Sequence, residues 1–119
     1  PTLLQASDAS YVAAIRNDMF RFGIGMNKLM DAMMGAKPIL YAVEAPNNWI
    51  LEYDCGISVE AENATALTEG FHKLLALSEQ QRRKMGENGR QAMFKHFLYP
   101  HLAERFLQAV TADRKEEAE

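Results

Sequence analysis

The chain has 119 residues, of which 48% are hydrophobic and 24% are charged, and its formal net charge is −3. These values predict one globular domain and exclude a disordered chain, and the negative charge argues against a nucleic-acid-binding surface. The single cysteine, Cys55, excludes an internal disulfide framework and a metal site built from cysteines, which fits a reducing, cytoplasmic setting. No apolar run is long enough to span a bilayer.

Short apolar runs alternate with helical patterns along the chain. The predicted strands are residues 11–15 and 38–43, both expected to be buried, and the short strand 57–59. The predicted helices are the end of one at 2–6, one at about 27–34, a short one through Tyr53, one after Asn63, one from Ser78 to about His96, and one from Tyr99. This order predicts an α/β fold with a parallel sheet, and three strands suggest part of a doubly wound, Rossmann-like domain with a helical C-terminus. Residues 16–21 are predicted as a polar loop, and 113–119 as a solvated tail.

Several residues are placed at helix ends by their chemistry. Asn47 or Asn48 is expected to cap the short helix, Asn63 the next one, and Ser78 with Gln81 is expected to form a capping box. Gly35 is expected to cap the helix at 27–34 at its C-terminus, before Pro38.

Two of the later helices have apolar residues at helical spacing. The first set is Leu67, Phe71, Leu74 and Leu75, and the second is Leu102, Phe106 and Val110. Between them, Gly86 and Gly89 are expected to weaken the helix that begins after Ser78.

The stretch at 22–38, FGIGMNKLMDAMMGAKP, combines a glycine-containing loop with a mostly apolar helix. Asn27, Lys28 and Asp31 share one polar stripe of that helix, next to an N-terminus with free N–H groups and a partial positive charge. This layout predicts an anion or ligand site. The alternative is a surface helix cap with a Lys–Asp pair, and two glycines alone are a weak sign of a phosphate loop.

The order of elements and the stretches FGIGMNKLMDAMMGAKPILYAV, CGISVEAENATALTEGFHKLLAL and SEQQRRKMGENGRQAMFKHF resemble the C-terminal nucleotide-sugar-binding domain of family 4 retaining glycosyltransferases, which have the GT-B fold. The resemblance covers residues 7–110 and is closest to members whose loop reads Pro-Asn-Lys-Leu, with Met26 at the proline position. It implies that a diphosphate is bound by the backbone N–H groups of Ile24, Gly25, Met26, Asn27 and Lys28. It also implies that Asp31 contacts the ribose, whereas the glutamate that contacts the donor sugar falls on Gly23 and is absent.

The resemblance implies a part of an enzyme that binds a nucleotide-diphosphate sugar, with a UDP-sugar expected. The full-length protein would transfer the sugar to a saccharide or lipid-linked acceptor, at the cytoplasmic side or the inner face of the membrane. The acceptor domain and the first strands of this domain would lie upstream of Pro1. We therefore expect the chain alone to be inactive, with no catalytic residue, cofactor or metal ion of its own.

Other interpretations stay open for the chain and for single residues. A non-catalytic assembly or regulatory module derived from the same fold is the main alternative, and Gly23 supports it. A phosphoacceptor signalling domain is disfavoured, because it needs an acidic cluster at the strand ends. Arg16, Arg21, Glu44 and Asn47 flank the expected ligand edge and are either site residues or solvated. The strand at 11–15 is expected to have an open edge, which predicts a homodimer.

Overall fold

Three short parallel strands form one open sheet in the order β1-β2-β3. The strands are β1, Ser10–Ala13, β2, Ile39–Ala42, and β3, Gly56–Ser58. Ser10 lies opposite Ile39, which in turn lies opposite Gly56. The computed structural model describes residues 2–117, with side chains up to residue 112. The predicted α/β class with about three parallel strands is therefore confirmed.

Six α-helices, a 3₁₀ helix and a π-helical turn make up the rest of the regular structure within residues 2–117. The α-helices are α1, Thr2–Ala6, α2, Asn27–Met34, α3, Trp49–Glu52, α4, Ala64–Ala76, α5, Glu79–Ala92, and α6, Tyr99–Glu117. The 3₁₀ helix is Asp18–Phe22 and the π-helical turn is Met93–Phe97. The bounds of α2 are the predicted ones. The tail predicted at 113–119 falls outside the described side chains, and its backbone is helical to Glu117.

Helices cover both faces of the sheet, as in doubly wound folds. On one face, Ile39 and Tyr41 of β2 belong to the same core cluster as Met33 of α2. On the other face, Leu40 meets α4, where a Cβ added to Gly70 would lie 2.8 Å from the Leu40 Cδ1 atom. All four residues of β2 are buried, because this central strand has a strand on each side and helices above and below.

The first strand differs from its prediction. It ends at Ala13, and only Val12 is buried, while Tyr11 and Ile15 are 53% and 73% exposed. The apolar run at 11–15 has the composition of a central strand, but β1 lies at an edge, with no neighbour beyond it among the described residues. The expected open edge is therefore present, and the homodimer stays a prediction.

The predicted capping residues lie where the sequence places them, with one exception in geometry. Asn48 caps α3, Asn63 caps α4, and Ser78 with Gln81 forms the capping box of α5. Gly35 follows α2 as its C-cap in a right-handed conformation, so the left-handed residue of this turn is Ala36, with φ 54°.

The segment predicted as a polar loop at 16–21 contains the 3₁₀ helix instead. The Asn17 Oδ1 atom accepts a hydrogen bond of 2.9 Å from the Met19 N–H and so begins this helix. The prediction was wrong because a single 3₁₀ turn has no apolar periodicity that would distinguish it from a loop.

Gly86 allows α5 to pack closely against the end of α2. A Cβ at this position would lie 2.0 Å from the carbonyl oxygen of Ala36. Helix α5 is continuous through Gly86 and Gly89, and both residues are buried. The two glycines therefore do not interrupt the helix, and Gly86 permits a tertiary contact that a side chain would prevent.

The apolar faces of α4 and α6 are only partly covered. In α4, Leu74 is buried, but Phe71 and Leu75 are exposed. In α6, Phe106 and Val110 are exposed as well. The spacing of the apolar residues predicted the two helices correctly, and part of each apolar face is exposed to solvent.

Candidate functional site

The loops that follow the three strands meet at the carboxyl edge of the sheet and form two adjoining clefts. The larger cleft, of about 720 Å³, is lined by residues from all three loops. The smaller one, of about 570 Å³, lies between the loop at 21–25 and the loop that follows β2. Arg21 and Pro46 line both clefts, so the two clefts adjoin at these residues.

The residues predicted to bind a diphosphate surround the start of α2. Ile24 and Gly25 line the smaller cleft. Met26 is the N-cap of α2, makes no side-chain capping hydrogen bond and packs partly against the core. Asn27 and Lys28 begin the helix with exposed side chains. Of the five predicted residues, Ile24 and Gly25 therefore line the smaller cleft, and the other three form the adjoining start of α2.

Several backbone N–H groups at this helix start have no acceptor among the described residues. The N–H groups of Leu29 and Met30 donate to the carbonyl of Met26. The N–H of Ile24, which was expected to bind the diphosphate, instead donates to Asn47 Oδ1 and is not free for a ligand. For residues 25–28 no acceptor exists within the part of the chain that the structure describes. Such unpaired N–H groups, with the partial positive charge of a helix start, favour the binding of an anion.

Asp31 lies apart from the two clefts. It lines a third cleft of about 470 Å³ together with Met34 and Arg90. No ion pair between Lys28 and Asp31 is present, although the two residues are three positions apart on α2. Asp31 is four residues beyond Asn27, which corresponds to about 6 Å along the helix axis. The structure therefore places its carboxylate one turn away from the predicted diphosphate site.

Asn47 connects the two loops that form the smaller cleft. Its Oδ1 atom accepts a hydrogen bond of 2.7 Å from the Ile24 N–H, and its Nδ2 atom donates one of 2.6 Å to the Ile24 carbonyl. Next to this contact, Gly23 has φ 95°, a conformation that residues with a side chain rarely adopt. A Cβ at Gly23 would also lie 3.1 Å from Asn47 Oδ1. An acidic residue is therefore disfavoured at this position in the observed loop.

Arg16 connects the ends of all three strands through carboxylates. Its Nη2 atom is 3.3 Å from Glu44 Oε1 and 2.6 Å from Glu60 Oε1, and its backbone N–H donates to Glu62 Oε2. The hydrogen bond to Glu44, followed by the attraction of that carboxylate and the contact with Glu60, raises the pKa of Arg16. The charge of Arg16 is thus balanced within the protein.

Arg21 is the cation in the clefts that has no carboxylate partner among the described residues. Its guanidinium group lies 4.7 Å from the centre of the Phe22 ring. In the larger cleft, Asp18, Glu44 and Glu60 face two guanidinium groups, whereas Arg21 alone contributes a charge to the smaller cleft. An anion is therefore better accommodated in the smaller cleft.

Glu60 and Glu62 are the residues of this edge that the sequence interpretation did not identify. Glu60 and Glu62 are far from Glu44 in the sequence. The parallel sheet brings all three carboxylates to the same arginine, Arg16. The available signal was their position directly after the third predicted strand, where ligands of open α/β sheets bind. Within residues 2–117, no group of three or more histidine, cysteine, aspartate or glutamate side chains is arranged to hold a metal ion.

The remaining candidate groups lie away from the carboxyl edge. Cys55 is fully buried, and this burial raises the pKa of its thiol to about 11. His96 stacks on Tyr53, with 5.4 Å between the ring centres. A helix with both the length and the apolar composition to cross a membrane is not found in the described part of the chain.

Comparisons of the chain with protein-family models, with curated proteins and with solved structures found no match. The function is therefore argued from the residues of this chain and from the fold that brings them together.

Proposed function

We propose that the chain is part of the donor-binding domain of a retaining glycosyltransferase and binds a nucleoside-diphosphate sugar, with a UDP-sugar as the expected donor. The observation that carries the proposal is the start of α2, at the carboxyl edge of a parallel sheet, where the backbone N–H groups of residues 25–28 have no acceptor among the described residues. Open α/β sheets bind their ligands at this edge. In the full-length protein the sugar passes to a saccharide or lipid-linked acceptor held by another domain.

The diphosphate occupies the smaller cleft in this proposal. The N–H groups of residues 25–28 donate to its oxygens, and the glycine loop lets the backbone come close. Lys28 supplies a positive charge from the first turn of α2. Arg21 supplies a second one from the cleft wall, and it is available because no carboxylate of the described residues pairs with it. The guanidinium group can contact two phosphate oxygens at once.

The ribose lies along the next turn of α2 in the same proposal. Asp31 is about 6 Å from Asn27 along the helix axis, and a ribose is joined directly to the diphosphate that the helix start binds. A carboxylate accepts hydrogen bonds from ribose hydroxyls, and this contact is the role assigned to Asp31. Its exposed position on α2 leaves the side chain accessible to the ligand.

Titration of UDP against the full-length protein by calorimetry tests the proposal. We expect Asp31→Ala to weaken UDP binding about tenfold, because a hydrogen bond to a charged group is lost. Asp8→Ala is the matched control, since Asp8 lines a separate cleft with Lys37 and Pro38. An unchanged affinity of Asp31→Ala for UDP would show that Asp31 does not contact the ligand. No binding of UDP or of any other nucleoside diphosphate would refute the donor-binding function.

A second candidate function is a non-catalytic α/β module with an assembly or regulatory role. Gly23 favours it, because the backbone at this position disfavours the acid that contacts the donor sugar in the family this chain resembles. Turnover of a UDP-sugar by the full-length protein would eliminate this candidate. Nucleotide binding without turnover of any sugar donor would support it.

A further inference from the structure

The side chain of Asn47 fixes the position of the loop that precedes α2. Asn47 and Ile24 are 23 positions apart in the sequence, and two hydrogen bonds of 2.7 and 2.6 Å join the side-chain amide to both backbone groups of Ile24. The contact is partly buried, so water competes with it less than at an exposed site. Asn47 follows the central strand β2, which is buried along its whole length. The loop before α2 is thereby attached to the most enclosed part of the sheet.

The two hydrogen bonds also decide which backbone groups are free. The Ile24 N–H is used by Asn47, and the N–H groups of residues 25–28, which come next, have no acceptor within residues 2–117. The protein therefore holds the backbone up to Ile24, and from the next residue, Gly25, the N–H groups are open to a ligand. A site whose donors are held in place before binding loses less entropy when the ligand binds.

Gly23 and Asn47 depend on each other sterically. A Cβ at Gly23 would lie 3.1 Å from Asn47 Oδ1, closer than ordinary van der Waals contact. At Gly25, which lies on the other side of Ile24, a Cβ would meet no atom within 4 Å. A side chain at Gly23 would therefore crowd the Asn47 amide, whereas one at Gly25 would not.

We propose that Asn47 is a positioning residue for phosphate recognition, holding the loop so that the N–H groups of residues 25–28 face the diphosphate. This inference rests on the proposed donor-binding function. An amide is needed because it donates and accepts in the same contact, whereas a carboxylate only accepts. Asn47→Asp therefore loses the hydrogen bond to the Ile24 carbonyl and places a negative charge beside the phosphate site.

The test separates phosphate recognition from general stability. The dissociation constants of UDP and uridine are measured for the full-length protein, with uridine in competition against UDP, because uridine lacks only the diphosphate. We expect Asn47→Ala to reduce the preference for UDP over uridine about tenfold, and Asn47→Asp to reduce it further. Asn48→Ala is the matched control, because Asn48 caps α3 and contacts Ser58 but not the loop before α2. It should leave the preference unchanged.

Gly23→Ala and Gly25→Ala provide a second comparison that leaves Asn47 in place. The first should reduce the preference for UDP as Asn47→Ala does, and the second should not. An unchanged preference in Asn47→Ala, with UDP binding retained, would overturn the positioning role while the donor-binding function stands. A wild-type protein that binds UDP no better than uridine would overturn both.

Amide hydrogen exchange of the wild-type protein is a test that does not depend on whether a variant folds. The Ile24 amide should be protected without ligand, and the amides of residues 25–28 should become protected only when UDP is added. An Ile24 amide that exchanges as fast as its neighbours would overturn the positioning role.

Discussion

The hydroxyl group of Tyr41 gives the most direct test of the described core. Tyr41 is fully buried in the central strand, and its hydroxyl has no hydrogen-bond partner among the described residues. A buried hydroxyl without a partner costs about 1–3 kcal/mol of folding free energy. Tyr41→Phe removes this oxygen and keeps the ring. The small cavity left by the oxygen costs roughly a few tenths of a kcal/mol. We therefore expect the free energy of unfolding of Tyr41→Phe to exceed that of the wild type by about 1–2 kcal/mol.

The expected gain is large enough to measure by thermal and urea denaturation. With an unfolding entropy of about 2.1 cal/mol/K per residue, 1 kcal/mol corresponds to a rise in Tm of about 4 °C for a chain of this length. Tyr41→Phe should therefore raise Tm by about 4–8 °C. Tyr11→Phe is the matched control, because Tyr11 lies on the edge strand and is half exposed. It should leave the Tm unchanged.

The opposite result would refute the reasoning. If Tyr41→Phe lowered the Tm while Tyr11→Phe did not, the Tyr41 hydroxyl would make a stabilising hydrogen bond in the folded protein. The pH dependence separately tests the burial of the hydroxyl, because burial raises the pKa of Tyr41. The unfolded chain then ionises first, so the wild type should lose stability as the pH rises above about 10, and Tyr41→Phe should lose less.

Three further predictions concern the site, the core and the open edge. Arg21→Ala should weaken UDP binding about tenfold and reduce the dependence of binding on salt. The control Arg83→Ala, which removes an exposed guanidinium paired with Glu79, should do neither. Equal affinities of wild type and Arg21→Ala for UDP would exclude Arg21 from the site. Burial raises the pKa of the Cys55 thiol to about 11, whereas the thiol of the unfolded chain ionises near pH 9. The folded protein should therefore lose up to roughly 2 kcal/mol of stability between pH 9 and pH 11. In urea denaturation, Cys55→Ala should show a smaller loss over the same pH range. Because β1 has an open edge, the 119-residue chain should sediment as a dimer at high concentration, and a monomer would count against edge pairing.

The sequence predicted those parts of the fold that depend on local chemistry. Helix α2 was placed correctly because its apolar residues follow a helical period and Gly35 follows it. Asn63 and Ser78 were placed at helix starts because their side chains satisfy the N–H groups of the first turn. In each case the interacting groups lie within four residues of each other, so the pattern is visible without the fold.

The parts that were missed depend on contacts between distant residues. The burial of β1 could not be predicted, since its composition does not tell an edge strand from a central one. Gly86 was interpreted by its helix propensity, whereas its role is the close approach of α5 to Ala36. In the site, the sequence proposed the start of α2, but the contact of Asn47 with Ile24 joins positions from two different loops. Only the order of the strands in the sheet brings those loops together.

The central position of β2 has a consequence for how the candidate site moves. Amides of a strand that is hydrogen-bonded on both sides and buried on both faces exchange with solvent only when the whole domain unfolds. The loop that carries Asn47 begins directly after β2, whereas the loop that carries Arg21 follows the edge strand β1. One wall of the smaller cleft is thus attached to the strand that is expected to exchange most slowly, and the other to an edge strand that is expected to open locally. Motions that admit or release a ligand are therefore expected at Arg21 and Phe22, which precede the point where Asn47 holds Ile24.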